Sequence, residues 1–271
     1  MDDRDTGPPR AAEATTSPLA ALPPREKARL AHERLCDEFG CPIAYFRAHD
    51  PLSELVGSLL SHRTRNADSG RAFKALRARF GTWAAVRDAP VADVEATIAG
   101  VTWPELKAPR LQQVLRAVTE RVGHVEPHAL DFLGDLPPAE ARAWLEALPG
   151  VGPKTSAAVL SFSTLRGTAL PVDSHHHRVA VRLGLIPATM APGPSHAALA
   201  ALLPPGFSAQ QVYDHHEVFM LHGQRTCTWK APRCERCVVL DLCPYGEALV
   251  AQRRADAANA TDAANAPAPP E

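Results

Sequence analysis

Four cysteines lie within seventeen residues near the end of the chain, Cys227, Cys234, Cys237 and Cys243, spaced C-x6-C-x2-C-x5-C. Four thiolates on one short loop suit metal ligation. The spacing favours a [4Fe–4S] cluster over zinc, whose sites usually show two close Cys pairs where this loop has one. Arg225, Lys230, Arg233 and Arg236 surround these residues and can offset the charge of such a centre or meet phosphate. Cys36 and Cys41 are far away in sequence and read as ordinary thiols. A disulfide framework is not expected, because the N-terminus MDDRDTGPPR has neither the basic nor the apolar region of an export signal.

The second chemical candidate is Leu148-Pro-Gly-Val-Gly-Pro-Lys-Thr155. It reads as a very short turn between two helices, a helix-hairpin-helix signature. Gly150 and Gly152 permit positive φ and close backbone approach, and the helix that follows aims its unpaired N–H groups at the turn. Such a turn binds an anion, with DNA phosphate the natural candidate at Gly150, Val151 and Gly152. The plain alternative is an ordinary helix–helix turn with a glycine stop. The spacing excludes a Walker phosphate loop. Lys154 opens the second helix, where the helix terminus and desolvation favour a neutral, nucleophilic amine. Asp173, in Leu170-Pro-Val-Asp-Ser174, is about twenty residues further on and starts the next helix. It is a second reactive group or simply a helix cap, and the two roles are compatible.

These residues need short helices to position them, and the apolar periodicity supplies them. Helices are expected over 25–40, 51–61, 66–79, 90–99, 108–123, 138–148, 154–165, 174–183, 195–203 and 208–223. The fold class is all-α, with Pro and Gly breaks too frequent for a coiled coil. Residues 1–24 and 251–271 are Pro- and Ala-rich, lack apolar period and read as disordered tails.

Composition narrows the function further. No apolar run is long enough to span a bilayer, so a membrane partner is not expected and a cytoplasmic location is. Low aromatic content, 6%, weighs against an all-β chain. The net charge of −1 is distorted by tails of −2 and −1, which leave the body between them at +2. That body is weakly basic, and 24 of the chain's 29 Lys and Arg residues are Arg. Arg-rich charge suits bidentate phosphate contact and equally suits a GC-rich genome.

LPGVGPKT, LPVDSH and HGQRTCTWKAPRCERCVVLDLCPYG together resemble the endonuclease III branch of the helix-hairpin-helix DNA glycosylases, over about residues 25–248. The resemblance implies a six-helix barrel lobe over 50–166, with the hairpin, and an iron–sulfur cluster lobe from 25–49 and 167–250. A DNA-binding cleft would lie between them. It also implies a base-excision repair enzyme acting on double-stranded DNA with damaged bases or abasic sites; a monomer is expected because no extra oligomerisation segment is evident. Such an enzyme is a bifunctional glycosylase and AP lyase for oxidised pyrimidines. Lys154 would form the Schiff base and Asp173 would assist with protons and charge. Adenine-mismatch relatives lack that amine.

The chain also departs from the family. Where relatives carry a gap-filling Gln after an early LLS, this chain has His62 and Arg63. The second wedge region reads Gly100-Val-Thr-Trp-Pro-Glu105, so Val101 or Trp103 would insert into DNA, unless Trp103 merely packs. Lys230 on the cysteine loop is a further DNA candidate. The alternatives are a weakly active or non-catalytic iron–sulfur DNA-binding paralogue, and a zinc-stabilised helical interaction module.

Overall fold

The computed structural model describes residues 17–46 and 48–264, and no strand occurs among them. Twelve α-helices run in order: α1 (Pro24–Phe39), α2 (Pro51–Ser61), α3 (Asn66–Phe80), α4 (Trp83–Asp88), α5 (Val91–Thr97) and α6 (Pro104–Val122). They continue with α7 (Pro138–Glu146), α8 (Pro153–Phe162), α9 (Ser174–Arg182), α10 (Pro192–Ala200), α11 (Ala209–Arg225) and α12 (Pro244–Ala264). None of the described helices is long and apolar enough to cross a membrane.

The chain divides into two compact units. One comprises the described residues up to Cys41, Val172–Pro205 and those from Asp214 onward. The other comprises Pro42–Pro171 and Gly206–Tyr213, so the division falls within α11. These limits differ from the expected lobes by several residues at each crossing.

In the second unit α2 is the axle. Asp50 caps it by accepting from Ser53 N at 3.0 Å, and Pro51 occupies the first turn. Every residue from Pro51 to Leu60 is buried, including the polar Ser53, Glu54 and Ser58; Trp83 Nε1 donates to Ser53 Oγ and Ser58 Oγ to Glu54 Oε1, each at 3.2 Å. Leu52, Leu55, Val56 and Leu60 are at most 1% exposed, and each contributes roughly 1.5–3 kcal/mol by leaving water. α6 starts at Pro104, four residues before the expected start at 108, and it contains Pro109. That proline sits in the second turn and the helix runs through it.

Three expectations for the first unit are corrected. Residues 17–24 are not a free tail: Pro18–Ala21 form a 3-10 turn, Ser17 N donates to Glu247 at 3.1 Å, and Lys27 Nζ donates to Ala20 O at 2.6 Å. Residues 1–16 lie outside the described residues. Secondly, α12 continues to Ala264, through a stretch read as disordered. Its alanines have the highest helix propensity, and Arg253 fastens it by pairing with Glu235 at 2.7 Å. Thirdly, Cys36 and Cys41 form a disulfide. Gly40 ends α1 in the left-handed region, φ +80°, and Cys41 N donates to Cys36 O at 3.1 Å. This Schellman turn brings the two positions together, with Cα atoms 4.9 Å apart.

Candidate active site and metal centre

The hairpin is built by glycine at one position that requires it. Gly150 has φ +74°, and a Cβ there would come within 2.8 Å of Arg110 Nη1. Val151 N then donates to Leu148 O, and Thr155 N and Ser156 N to Gly152 O, which starts α8 behind Pro153. Glu146 locks the two helices by accepting from Ser156 Oγ at 2.6 Å and Arg142 Nη2 at 2.9 Å. Lys154 is half-buried in the first turn of α8.

Beside the hairpin runs a groove of about 560 Å³. Its polar lining is His62, Arg63, Lys107 and Arg110, with no carboxylate, and its apolar lining includes Trp103 and Leu106. Trp103 is 47% exposed and Leu106 is 64% exposed, so both offer surface. Val101 is 5% exposed and packs in the core, so Trp103 is the apolar side chain that this loop presents. Arg63 and Trp103 both have positive φ, +50° and +56°, and the Arg63 guanidinium stands 5.7 Å from the Trp103 ring centre. Such strain persists only where neighbours over-determine it. Here Thr102 N donates to Thr64 Oγ1 at 3.0 Å and Thr102 Oγ1 to Arg63 O at 2.9 Å. Lys107 Nζ donates to Leu60 O, His62 O and Thr64 Oγ1 at 2.7–2.8 Å, and burial pushes its pKa down to about 8.

His62 ends α2, and its Nε2 is 2.9 Å from Thr155 Oγ1. Burial first, then the positive charges of Lys154 and Lys107, press its pKa down to about 4, so the ring is neutral near pH 7. Nothing in the sequence pointed to this bond, because the two residues are 93 positions apart.

In the first unit Asp173 caps α9, its Oδ1 accepting from His176 N at 2.7 Å. The capping role expected from the sequence is therefore realised. Asp173 is half-buried, and its charge helps raise the Glu217 carboxyl to about 7, after burial as the main cause.

Cys227, Cys234, Cys237 and Cys243 line one cavity, together with Arg182, His222 and Tyr245. Burial and the neighbouring thiols push Cys237 up to about 12 and raise Cys234 and Cys243 as well. Burial therefore disfavours the thiolate form of these three sulfurs unless a positive centre compensates. Arg182 Nη1 and Gly246 N each donate to sulfur at 3.3 Å, to Cys227 and Cys243 respectively. Among the described residues no three His, Cys, Asp or Glu groups are placed to hold a single metal ion. Four thiols lining one cavity are a donor set of the type that soft metals and iron–sulfur centres take. Arg178 and Arg182 hold the loop through Cys227 O, Thr228 O and Trp229 O at 2.8–3.1 Å. Trp229 and Lys230 are exposed at its tip.

Comparison with known proteins places this architecture. Residues 56–205 match the HhH-GPD superfamily, described as base excision DNA repair proteins. Endonuclease III of Escherichia coli strain K12 is 30% identical over 206 residues, covering 76% of this chain and 89% of that protein. Endonuclease III of Thermotoga maritima is 30% identical over 197 residues, covering 72% and 84%. A solved structure of an endonuclease III–DNA covalent intermediate superposes with a TM-score of 0.69, at 23% identity, covering 83% of this chain and 98% of that one. The hairpin with its lysine, the all-helical units and these matches agree: the chain belongs to the HhH-GPD superfamily of base excision DNA repair proteins, among the relatives of endonuclease III.

Proposed function

We infer that this protein is a base-excision DNA repair enzyme, a DNA glycosylase with AP lyase activity, that binds double-stranded DNA. The observation that carries the reading is Lys154 in the first turn of α8, directly after the Gly150 turn and in the unit that holds a cationic, carboxylate-free groove. The non-catalytic paralogue is not favoured, because the amine, the capping carboxylate and the hairpin are all retained.

Lys154 is the nucleophile. Its neutral amine forms an N–C1′ bond to the flipped sugar, and the glycosidic pair leaves with the base, which takes up a proton. Ring opening gives the iminium. Loss of a C2′ proton then drives cleavage of the C3′–O bond, and the 3′ phosphate departs; water releases the lysine. Asp173 stabilises the developing positive charge and passes protons. The substrates are oxidised pyrimidines and abasic sites. The backbone at Gly150, Val151 and Gly152 grips phosphate beside Arg110, and Arg63, Trp103 and the exposed Lys230 meet DNA. A strained, solvent-facing Arg–Trp pair suits stacking against bases.

Cys227, Cys234, Cys237 and Cys243 hold a [4Fe–4S] cluster, which when bound supplies a structural cross-link and a charge centre. Zinc is the losing alternative, since the loop has one close Cys pair where zinc sites usually show two. The working state is a cytoplasmic monomer. Borohydride trapping on abasic and thymine-glycol duplexes tests the reading. A covalent adduct should form and vanish in Lys154→Ala. Iron and labile sulfide analysis of fresh protein tests the centre. No adduct on either duplex would refute the enzyme.

A further inference from the structure

His62 stands at a junction of three helices. Its backbone ends α2, its carbonyl accepts from Lys107 Nζ of α6 at 2.7 Å, and its Nε2 meets Thr155 Oγ1 of α8 at 2.9 Å. Thr155 is 1% exposed and directly follows Lys154. The ring therefore grips the turn from which the amine springs, and one of its nitrogens is committed to that grip.

We propose that His62 is a positioning residue for Lys154, holding the first turn of α8 through Thr155 and covering the amine with a neutral ring. This deepens the lyase reading and rests on it. It also divides labour in the groove: Arg63 and Trp103 face DNA, while His62 faces the nucleophile.

The choice of side chain has an electrostatic reason. The amine must lose its proton before it can attack. A carboxylate beside it would hold it as an ammonium ion, whereas a neutral imidazole excludes water without adding negative charge. Burial, the main cause, and the charge of Lys107 keep the ring neutral even when the amine has lost its proton. The coupling runs both ways, so changes at His62 are read at Lys154.

The test uses the intact holoprotein and two readouts. One is the rate of borohydride-trapped adduct on an abasic duplex, from pH 5 to 9. The other needs no turnover: NMR titration of Lys154 after reductive methylation with labelled formaldehyde, assigned by its absence in Lys154→Ala. His62→Glu should move the acid limb of trapping, and the Lys154 titration, to higher pH by about 1–3 units. His62→Ala should slow trapping about tenfold, and Thr155→Val should do the same, with the double variant no slower than either. His62→Gln, whose amide can still reach Thr155, should recover most of the rate. Unchanged pH profiles in both His62→Glu and His62→Ala overturn the proposal, as do His62→Ala and Thr155→Val effects that multiply. If the wild type forms no adduct, the lyase reading fails, and the NMR titration still decides whether His62 governs the amine.

Discussion

Replacing His176 by leucine should stabilise the protein, and by more in mild acid than at neutrality. The ring is fully buried, 0% exposed, and neither of its nitrogens has a hydrogen-bond partner among the described residues. It lies 4.8 Å from the Phe219 ring, 5.4 Å from His215 and 5.9 Å from His216, centre to centre. Each unpaired buried donor or acceptor costs about 1–3 kcal/mol, and the lost ring contacts are worth about 0.5–1.5 kcal/mol, so the net gain near pH 7 is about 1–2 kcal/mol. The pH term has a definite sign. Burial, then His215, His216, His196 and His177, hold His176 well below its ordinary value of 6.5. The unfolded chain therefore binds the extra proton, and wild-type stability is lost as pH falls through 6.5. At pH 5 that loss is at most about 2 kcal/mol for this one group, the bound set by its unfolded value. Leucine removes it, so the advantage of His176→Leu should grow at pH 5, to at most about 3–4 kcal/mol. His215, 3% exposed and likewise pushed well down, adds to the wild-type acid limb. Glu217, raised to about 7, acts in the opposite sense, because its folded form holds the extra proton between 4.5 and 7. Urea denaturation of holoprotein at pH 7 and pH 5, with near- and far-UV dichroism coinciding, measures both numbers. A variant less stable than wild type at both pH values, or an equal difference at the two, would refute the argument.

Two further outcomes follow from backbone geometry. Gly150→Ala should cost about 1–2 kcal/mol for a left-handed alanine and displace Arg110; calorimetry should show the lower melting temperature, and DNA titrations weaker binding with a shallower salt slope. Reducing the Cys36–Cys41 disulfide, or Cys36→Ser, should lower stability by about 2 kcal/mol, small because the closed loop is short; equilibrium denaturation with and without a dithiol measures it.

The chemistry of the chain was written in local spacing. A lysine behind a two-glycine turn, an aspartate at a helix start and four cysteines in one loop are each set by residues a few positions apart, and the helices that carry them follow from apolar period. Local rules erred where a local signal had two readings. The helix expected from residue 108 begins at Pro104, and it runs through Pro109 in its second turn. The alanine-rich end looked featureless although it packs through Arg253. Cys36 and Cys41 looked like idle thiols although a glycine cap folds one back on the other. Only tertiary structure could decide which side chain of a loop turns inward. Val101 is taken up by the core and Trp103 is left at the surface, because Thr102 between them is tied to Thr64 and Arg63, and Trp103 takes the left-handed turn that precedes α6. It alone could join His62 to Thr155 and gather His32, His176, His215 and His216 from three helices. Those meetings depend on how helices pack, and packing energy is shared by many side chains far apart in the chain, so no short window of sequence contains it.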